Sequence, residues 1–415
     1  MSSPAFLPII EGLWVRNYKA LKQIALGSSF QQSMVMDVGL DLSPYELTPL
    51  TTIIGPSGTG KSTLLEVFAF LRDCLEEGLE PAIEKRGGFD AIYHRGGEGP
   101  ISIGLVYRAC AEPRPITYAV SIDRRQGSSH AFVETEAIVY RSSHHGASTQ
   151  PILFFQNGEK TTRHIMPWHG AKSIELDKIK RIDHRHLALK ELADFEDLPD
   201  VPQLKRHLDR FHLACYTPDS ALGLTPPLYR PLKNDRLLDE FKRMREKHGF
   251  EFPNILEVIA KRIPGVERIY YETTESGRTV LFFKMIGQEQ PFYAHQISEG
   301  SLRLFCHMLL FEDPQPLPLI GIEEPGAYMD SDQMKAFTLI ARDFVREMGG
   351  SQFLITSNQT AFVDYMDPTE VWLLYRDAQG DVKPGRALDE LAFMGVDLNA
   401  VGPYWYTDYL YRKSF

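Results

Sequence analysis

The stretch "LTTIIGPSGTGKSTLLEVFAFL", residues 50–71, decides the fold. Thr51 to Ile54 is an apolar, β-branched run that reads as a buried strand, and the residues from Lys61 onward favour helix. Between them, Gly55-Pro56-Ser57-Gly58-Thr59-Gly60-Lys61-Ser62 satisfies G-x-x-x-x-G-K-[ST] in the strand–loop–helix setting that this motif needs. Gly55, Gly58 and Gly60 let the backbone turn tightly, so that loop N–H groups and the helix start, through Thr63, face a polyphosphate. Lys61 is placed to reach the β- and γ-phosphates, and the Ser62 hydroxyl to ligate Mg²⁺. A glycine turn that merely joined strand to helix would not need all four fixed positions and both flanks. The expected ligands are therefore ATP and Mg²⁺.

A second segment, "PLPLIGIEEPGAYMDSDQMKAFTLIARDF", runs from Pro316 to Phe344. Leu317 to Ile322 reads as a buried strand that ends in Glu323-Glu324. Two adjacent carboxylates at an apolar strand end are costly unless a cation compensates them. A Mg²⁺-nucleotide would do so, with Glu323 on the metal side and Glu324 as the base that orients or deprotonates a water.

Composition narrows the partners. At 415 residues the chain is long enough for two or three subdomains, and its net charge of −10 argues against coating nucleic acid through overall electrostatics. Cys74, Cys110, Cys215 and Cys306 form no CxxC pair, so neither a zinc site nor a disulfide framework is indicated. The chain's start has no basic, apolar leader, and no stretch offers about 18 uninterrupted apolar residues. A cytoplasmic setting without membrane contact is expected.

A phosphate loop near the start, a distant S-x-G-x segment opening a helix, and an acidic strand soon after resemble the ABC-type ATPases. "ISEGS", Ile297 to Ser301, is similar to that family's signature, with Ser298 and Gly300 as the contact residues; "EEPGAYMD" resembles the acidic strand end and D-loop, with Asp330 at the D-loop acid. "FLITSNQTAF" resembles the switch strand, where Asn358 replaces the usual histidine. Asparagine can bond a phosphate but cannot become cationic. "GLWVRNYKALKQIAL", Gly12 to Leu26, resembles the first hairpin of the SMC, RecF and OLD-like branch; "IEKRGGFDAIYHRG" and "NILEVIAKRIPGV" also resemble its stand-alone bacterial ATPases.

The resemblance implies an α/β P-loop NTPase, specifically an ABC-type ATPase head with a β-meander lobe and a helical insertion. It implies a nucleotide-sandwich homodimer or higher homo-oligomer, in which Ser298 and Gly300 cap the nucleotide of the other subunit. It further implies Mg-dependent ATP hydrolysis with Lys61, Glu324 and Asn358 at the reacting end, a protein effector, and a setting in antiviral defence or DNA maintenance. Two alternatives stand beside it: a nucleotide-locked scaffold with little turnover, and a RecF-like clamp on double-stranded DNA.

The remaining chain divides into expected units. Residues 1–165 hold the phosphate loop and a meander built from "ISIGLVYR", "ITYAVSID", "FVETEAIVY" and "PILFFQNG". Residues 166–265 are expected to form a mainly helical lobe, whose basic runs are interrupted by acids and favour a solvated surface over nucleic-acid contact. His184 and His186 lack companions at metal-ligand spacing. Residues 266–376 carry the signature, acidic strand and switch strand. The tail, 377–415, is too short for a nuclease domain and ends "PYWYTDYLYRKSF", either a docking strip or a segment that packs on its own lobe. No heptad persists, so a compact head without a long arm is expected.

Overall fold

A computed structural model describes residues 8–27, 46–109, 115–124, 130–140, 151–156, 159–160, 183–192, 200–215, 236–273, 275, 279–348 and 351–412. In chain order, the first half contains β1 (Ile9–Tyr18), β2 (Leu21–Gly27), β3 (Leu50–Ile54), α1 (Lys61–Glu76), α2 (Leu79–Glu84), α3 (Phe89–Ile92), β4 (Ile101–Arg108), β5 (Ile116–Arg124), β6 (Ala131–Tyr140), β7 (Pro151–Gln156) and β8 (Glu159–Lys160). There follow α4 (Ala188–Leu192), α5 (Asp200–Asp209), β9 (His212–Ala214), α6 (Arg236–His248), α7 (Phe252–Arg262), β10 (Val266–Thr273), β11 (Thr279–Met285) and β12 (Phe292–Tyr293). The last part holds α8 (Glu299–Phe311), β13 (Leu319–Glu323), α9 (Ser331–Met348), β14 (Gln352–Ser357), α10 (Thr360–Val363), β15 (Val371–Arg376), β16 (Val382–Arg386), α11 (Ala387–Phe393) and a terminal π-helix, Tyr406–Tyr411.

The central sheet has the order β16-β15-β3-β14-β13-β9, parallel except for β16. Its inner strands β3, β14 and β13 are buried on both faces, and the side chains of the sheet alternate between two cores. Ile53, Leu319, Leu354, Trp372 and Leu374 join one core, with α1, α5 and the antiparallel sheet β2-β1-β4-β5-β6-β7-β8. Leu50, Ile54, Ile320, Ile322, Phe353, Ile355 and Leu373 join the other, with α7, α8, α9 and the small sheet β10-β11-β12. The expected acidic strand begins two residues late, at Leu319, because Pro316 and Pro318 cannot donate to the ladder.

Register then sets the strand ends level. Ser357 pairs with Ile54, and Glu323 with Thr356, so β3, β14 and β13 deliver Gly55, Asn358 and Glu324 to one edge. That carboxyl edge is where an open α/β sheet binds ligands. The two large sheets are joined by Gln352, whose amide accepts from Ile10 N–H at 2.9 Å and donates to Ile10 O at 2.8 Å and Thr48 O at 3.3 Å.

The meander strands form as expected. The segment read as a polar helical lobe has a further feature: His212–Ala214 pairs parallel with Ile320–Ile322 and forms an edge of the central sheet. The first six residues of "DKIKRIDHRHLALK", 177–182, lie outside the described residues. The longest described helix, α9, has 18 residues. In the tail, β16 extends the central sheet, and Trp405, Tyr406 and Leu410 are buried in the second core. Trp405 Nε1 donates to Met366 O at 2.8 Å. These residues pack on their own lobe, while Tyr404, Tyr409 and Tyr411 stay exposed.

Glu136 docks the start of α4 onto the meander. Its carboxylate accepts from Ala188 N–H at 2.5 Å, Leu189 N–H at 2.9 Å and the Tyr118 hydroxyl at 2.9 Å. Burial pushes it up from 4.5 to about 7, against the lowering effect of these donors. Because the folded pKa is raised, the folded state holds the proton more tightly. Its stabilising contribution is full below about pH 4.5 and is lost as pH rises through 7. Wild-type stability is therefore expected to fall relative to Glu136→Gln across that window, by up to about 3 kcal/mol, in parallel denaturant titrations.

Candidate functional site

The loop after β3 needs its glycines. Gly58 and Gly60 have φ of +80° and +86°, where side chains are strained. A Cβ on Gly55 would lie 2.3 Å from Leu374 O, and one on Gly60 would lie 2.6 Å from Leu21 Cδ2. Pro56, Ser57 and Gly58 form the exposed apex, while Thr59 and Lys61 are buried. Thr59 Oγ1 donates to Pro56 O at 2.8 Å, and Lys61 Nζ donates to Gly55 O at 2.7 Å and Pro56 O at 3.1 Å. Burial lowers the Lys61 pKa, opposed by the charges of Glu324 and Glu323. Thr63 sits half-buried in the first turn of α1.

The expected metal pair meets: Ser62 Oγ donates to Glu323 Oε1. Two hard oxygen donors at the head of a phosphate loop suit Mg²⁺, which binds through few protein ligands plus substrate phosphates. Glycine-dependent backbone, a 16-residue helix starting at Lys61 and the lysine itself suit a polyphosphate. These residues fit Mg-ATP. Among the described residues, one other cluster has metal-binding proximity, Asp73, Glu76 and Glu77. Asp73 there is already paired with Arg72, Lys85 and Arg86.

Glu324 has φ of +48°, so the chain turns sharply after β13. Its N–H donates to Thr356 O at 2.9 Å, and its Oε2 accepts from Asn358 N–H at 2.9 Å. Burial raises its pKa, with the Asn358 N–H and Lys61 acting against the rise. Asn358 thus engages Glu324 through its backbone, and the residue is exposed.

Ser298 caps α8, its Oγ accepting from Ser301 N–H at 3.3 Å and donating to Ser301 Oγ at 3.0 Å. Asp330 and Gln333 form a reciprocal cap on α9, with N–H to side-chain oxygen distances of 2.8 and 3.1 Å. Gln333 Nε2 donates to Ser301 Oγ at 2.9 Å, tying the two caps together. Among the described residues no hydrogen bond links Ser298 or Gly300 to the phosphate loop.

Three residues escaped the sequence reading. Arg376 donates to Gly58 O at 2.7 Å and Gly380 O at 2.6 Å, bracing the loop apex. Gln333 joins the caps. Arg303, 6% exposed, donates to Glu324 O at 3.2 Å and lies 5.2 Å from the Tyr328 ring centre. All act on backbone or on residues distant in sequence, which pattern and spacing do not reveal.

A family described as "AAA domain, putative AbiEii toxin, Type IV TA system" matches residues 50–139 and 180–364, most of the chain and all of this site up to Asn358. The chain belongs to this AAA-domain family. It is a P-loop ATPase by family, with an α/β fold built on a mostly parallel central sheet. No curated protein matches it. Solved structures include an SMC head bound to the C-winged helix domain of ScpA, at 16% identity and TM-score 0.44, covering 91% of this chain and 97% of that one. The SMC head domain from Thermotoga maritima has 12% identity and TM-score 0.43, covering 91% and 98%. An Smc head with an extended coiled coil, bound to the C-terminal domain of ScpA derived from Pyrococcus furiosus, has 15% identity and TM-score 0.44, covering 94% and 99%. Among the described residues of this AAA-family chain, no helix is long and apolar enough to cross a membrane.

Gly300 tests the join between α8 and the acidic turn. A Cβ there would lie 2.3 Å from Gln333 Oε1 and 2.5 Å from Tyr328 O, the second being backbone. Gly300→Ala is expected to destabilise the fold by about 1–3 kcal/mol, read as a lowered midpoint in thermal or urea unfolding.

Proposed function

We propose that this AAA-family chain binds Mg-ATP at the carboxyl edge of its parallel sheet and hydrolyses it. In this reading Lys61 and the loop amides hold the phosphates, Ser62 and Glu323 hold Mg²⁺, and Glu324 takes the proton from the attacking water. Bound Mg²⁺ supplies charge neutralisation on the phosphate oxygens. The observation that carries the proposal is the holding of Glu324 at three points: Thr356 O, Asn358 N–H and Arg303 fix its backbone and carboxylate beside the phosphate loop. A raised pKa suits a carboxylate that must accept a proton.

Two copies would close on two nucleotides, with Ser298, Gly300 and Asp330 of each facing the nucleotide of the other. The association would act as a switch on a protein effector in a cytoplasmic setting. The family's description as a putative AbiEii toxin of a Type IV TA system supports a defence role over DNA maintenance. A nucleotide-locked scaffold is the second reading, favoured by the exposed, uncharged Asn358 at the switch position.

Steady-state ATP hydrolysis separates them. The wild type with Mg²⁺ is expected to turn over, while Glu324→Gln loses about 100-fold or more yet binds ATP and gains mass in light scattering. No wild-type turnover would favour the scaffold, and an unchanged mass would count against the two-copy site. Arg303→Ala is expected to lower kcat about tenfold at nearly constant KM, with partial recovery in Arg303→Lys. An equal loss through KM would remove Arg303 from the positioning of Glu324.

A further inference from the structure

The turn just beyond the switch strand is held by the far end of the chain. After Asn358 comes α10, a four-residue helix with no side-chain cap at its start. So short a helix has little stability of its own. Phe362 and Val363 seat it in the second core, but apolar burial is non-directional and leaves its facing unset. Polar contacts to the next three residues set it. Asp364 Oδ1 accepts from Thr407 N–H at 2.9 Å, and its Oδ2 accepts from the Thr407 hydroxyl. The hydroxyls of Tyr365 and Ser331 bond at 2.7 Å, and Met366 O accepts from Trp405 Nε1 at 2.8 Å. Arg342 of α9 adds a bond to Tyr365 O at 3.4 Å.

Attachment of the tail does not require the bonds to Asp364, because Trp405, Tyr406 and Leu410 already bury it in the second core. Asp364 is the informative residue. It is 2% exposed, and burial raises its pKa against the lowering effect of donors from Thr407 and Tyr406. A buried carboxylate is costly without donors, and the tail supplies them. Tyr404, which leads into this contact, has φ of +70°, and strain of that kind persists only where the surroundings fix it. The same turn also bears on the acidic turn. A Cβ on Gly326 would lie 2.8 Å from Gln359 Oε1 and 3.5 Å from Phe362 Cδ2, while Asn358 N–H holds the Glu324 carboxylate. A shift of α10 therefore reaches Glu324 both through packing and through Asn358.

We propose that residues 404–411 position the switch turn for hydrolysis, with Thr407 as the positioning residue: its grip on Asp364 sets Asn358 N–H against the Glu324 carboxylate. The inference rests on the ATPase reading above and adds to it a control point remote in sequence, at the end of the chain. The segment acts on α10 and not on the phosphate loop, so loosening it misaims the base while the nucleotide stays held. Small misplacements of a reacting group cost far more in turnover than in binding. Through Tyr365 and Ser331 the same turn is joined to the start of α9, beside Asp330.

The test compares, in the full chain, Thr407→Val, which keeps the side chain's shape but loses its hydroxyl, with Thr407→Ser, which keeps the hydroxyl. Thr407→Val is expected to lower kcat about tenfold at nearly constant KM, and Thr407→Ser to retain most of the activity. Amide hydrogen exchange without nucleotide reads the positioning itself: residues 358–366 should exchange about tenfold faster in Thr407→Val, with the amides of β4 and β5 unchanged. Asp364→Asn combined with Thr407→Val removes the grip without leaving a bare carboxylate, and carries both readouts if the single variant does not fold. Unchanged exchange over residues 358–366 would overturn the proposal. So would faster exchange throughout the chain, because Thr407 would then serve the fold at large. Faster exchange confined to 358–366 with unchanged kcat, or a loss through KM alone, would sever the segment from the reaction. Absence of wild-type turnover removes the hydrolysis reading instead, and the exchange measurement still decides whether the segment holds the switch turn.

Discussion

Everything at the candidate site depends on the pairing of β14 with β3 on one side and β13 on the other. A strand slipped by one residue would turn its side chains to the opposite core and move its end by about 3.3 Å. Burial on both faces therefore fixes the register, with Ile54, Ser357 and Glu323 near one level. The loop, the switch turn and the acidic turn are then neighbours because this register brings the three strand ends level. Glu324, with its left-handed backbone, turns the chain out of the sheet at that level.

A second set of contacts ties α8 to this edge. Ser298, Ser301, Gln333 and Asp330 form a continuous hydrogen-bonded line between the starts of α8 and α9, and Arg303 reaches from α8 to the Glu324 carbonyl. Gly300 allows the close approach. The start of α8 and the acidic turn thus form one packed unit, and a displacement of either is felt by the other.

The phosphate loop, the acidic pair and the meander were legible because each is a local pattern: glycines at fixed spacing, a strand running into two acids, alternation broken by turns. Ser298, Gly300 and Asp330 were legible only through resemblance, and the structure places them as caps and a close-packed glycine. The edge strand His212–Ala214 was not legible. It has three residues, too few to show a period, and it exists because β13 offers it a partner. Arg303, Arg376 and Gln352 were hidden for another reason. Each bonds a main-chain group, at separations of 21, 318 and 342 residues, and a carbonyl leaves no mark in the amino-acid code.

The position of β3 has a consequence for how the chain is made. This apolar strand is central in its sheet, yet both neighbours arrive late: Leu50 pairs with Phe353, and Thr52 with Val371. At roughly 5–20 residues per second, a ribosome needs about 15–60 s to supply them. For that interval Leu-Thr-Thr-Ile-Ile has two open edges, the condition under which strands recruit foreign partners. The phosphate loop at its end is therefore among the earliest parts synthesised and among the last to be held in place, because neither neighbour of β3 exists until residues 352–373 emerge.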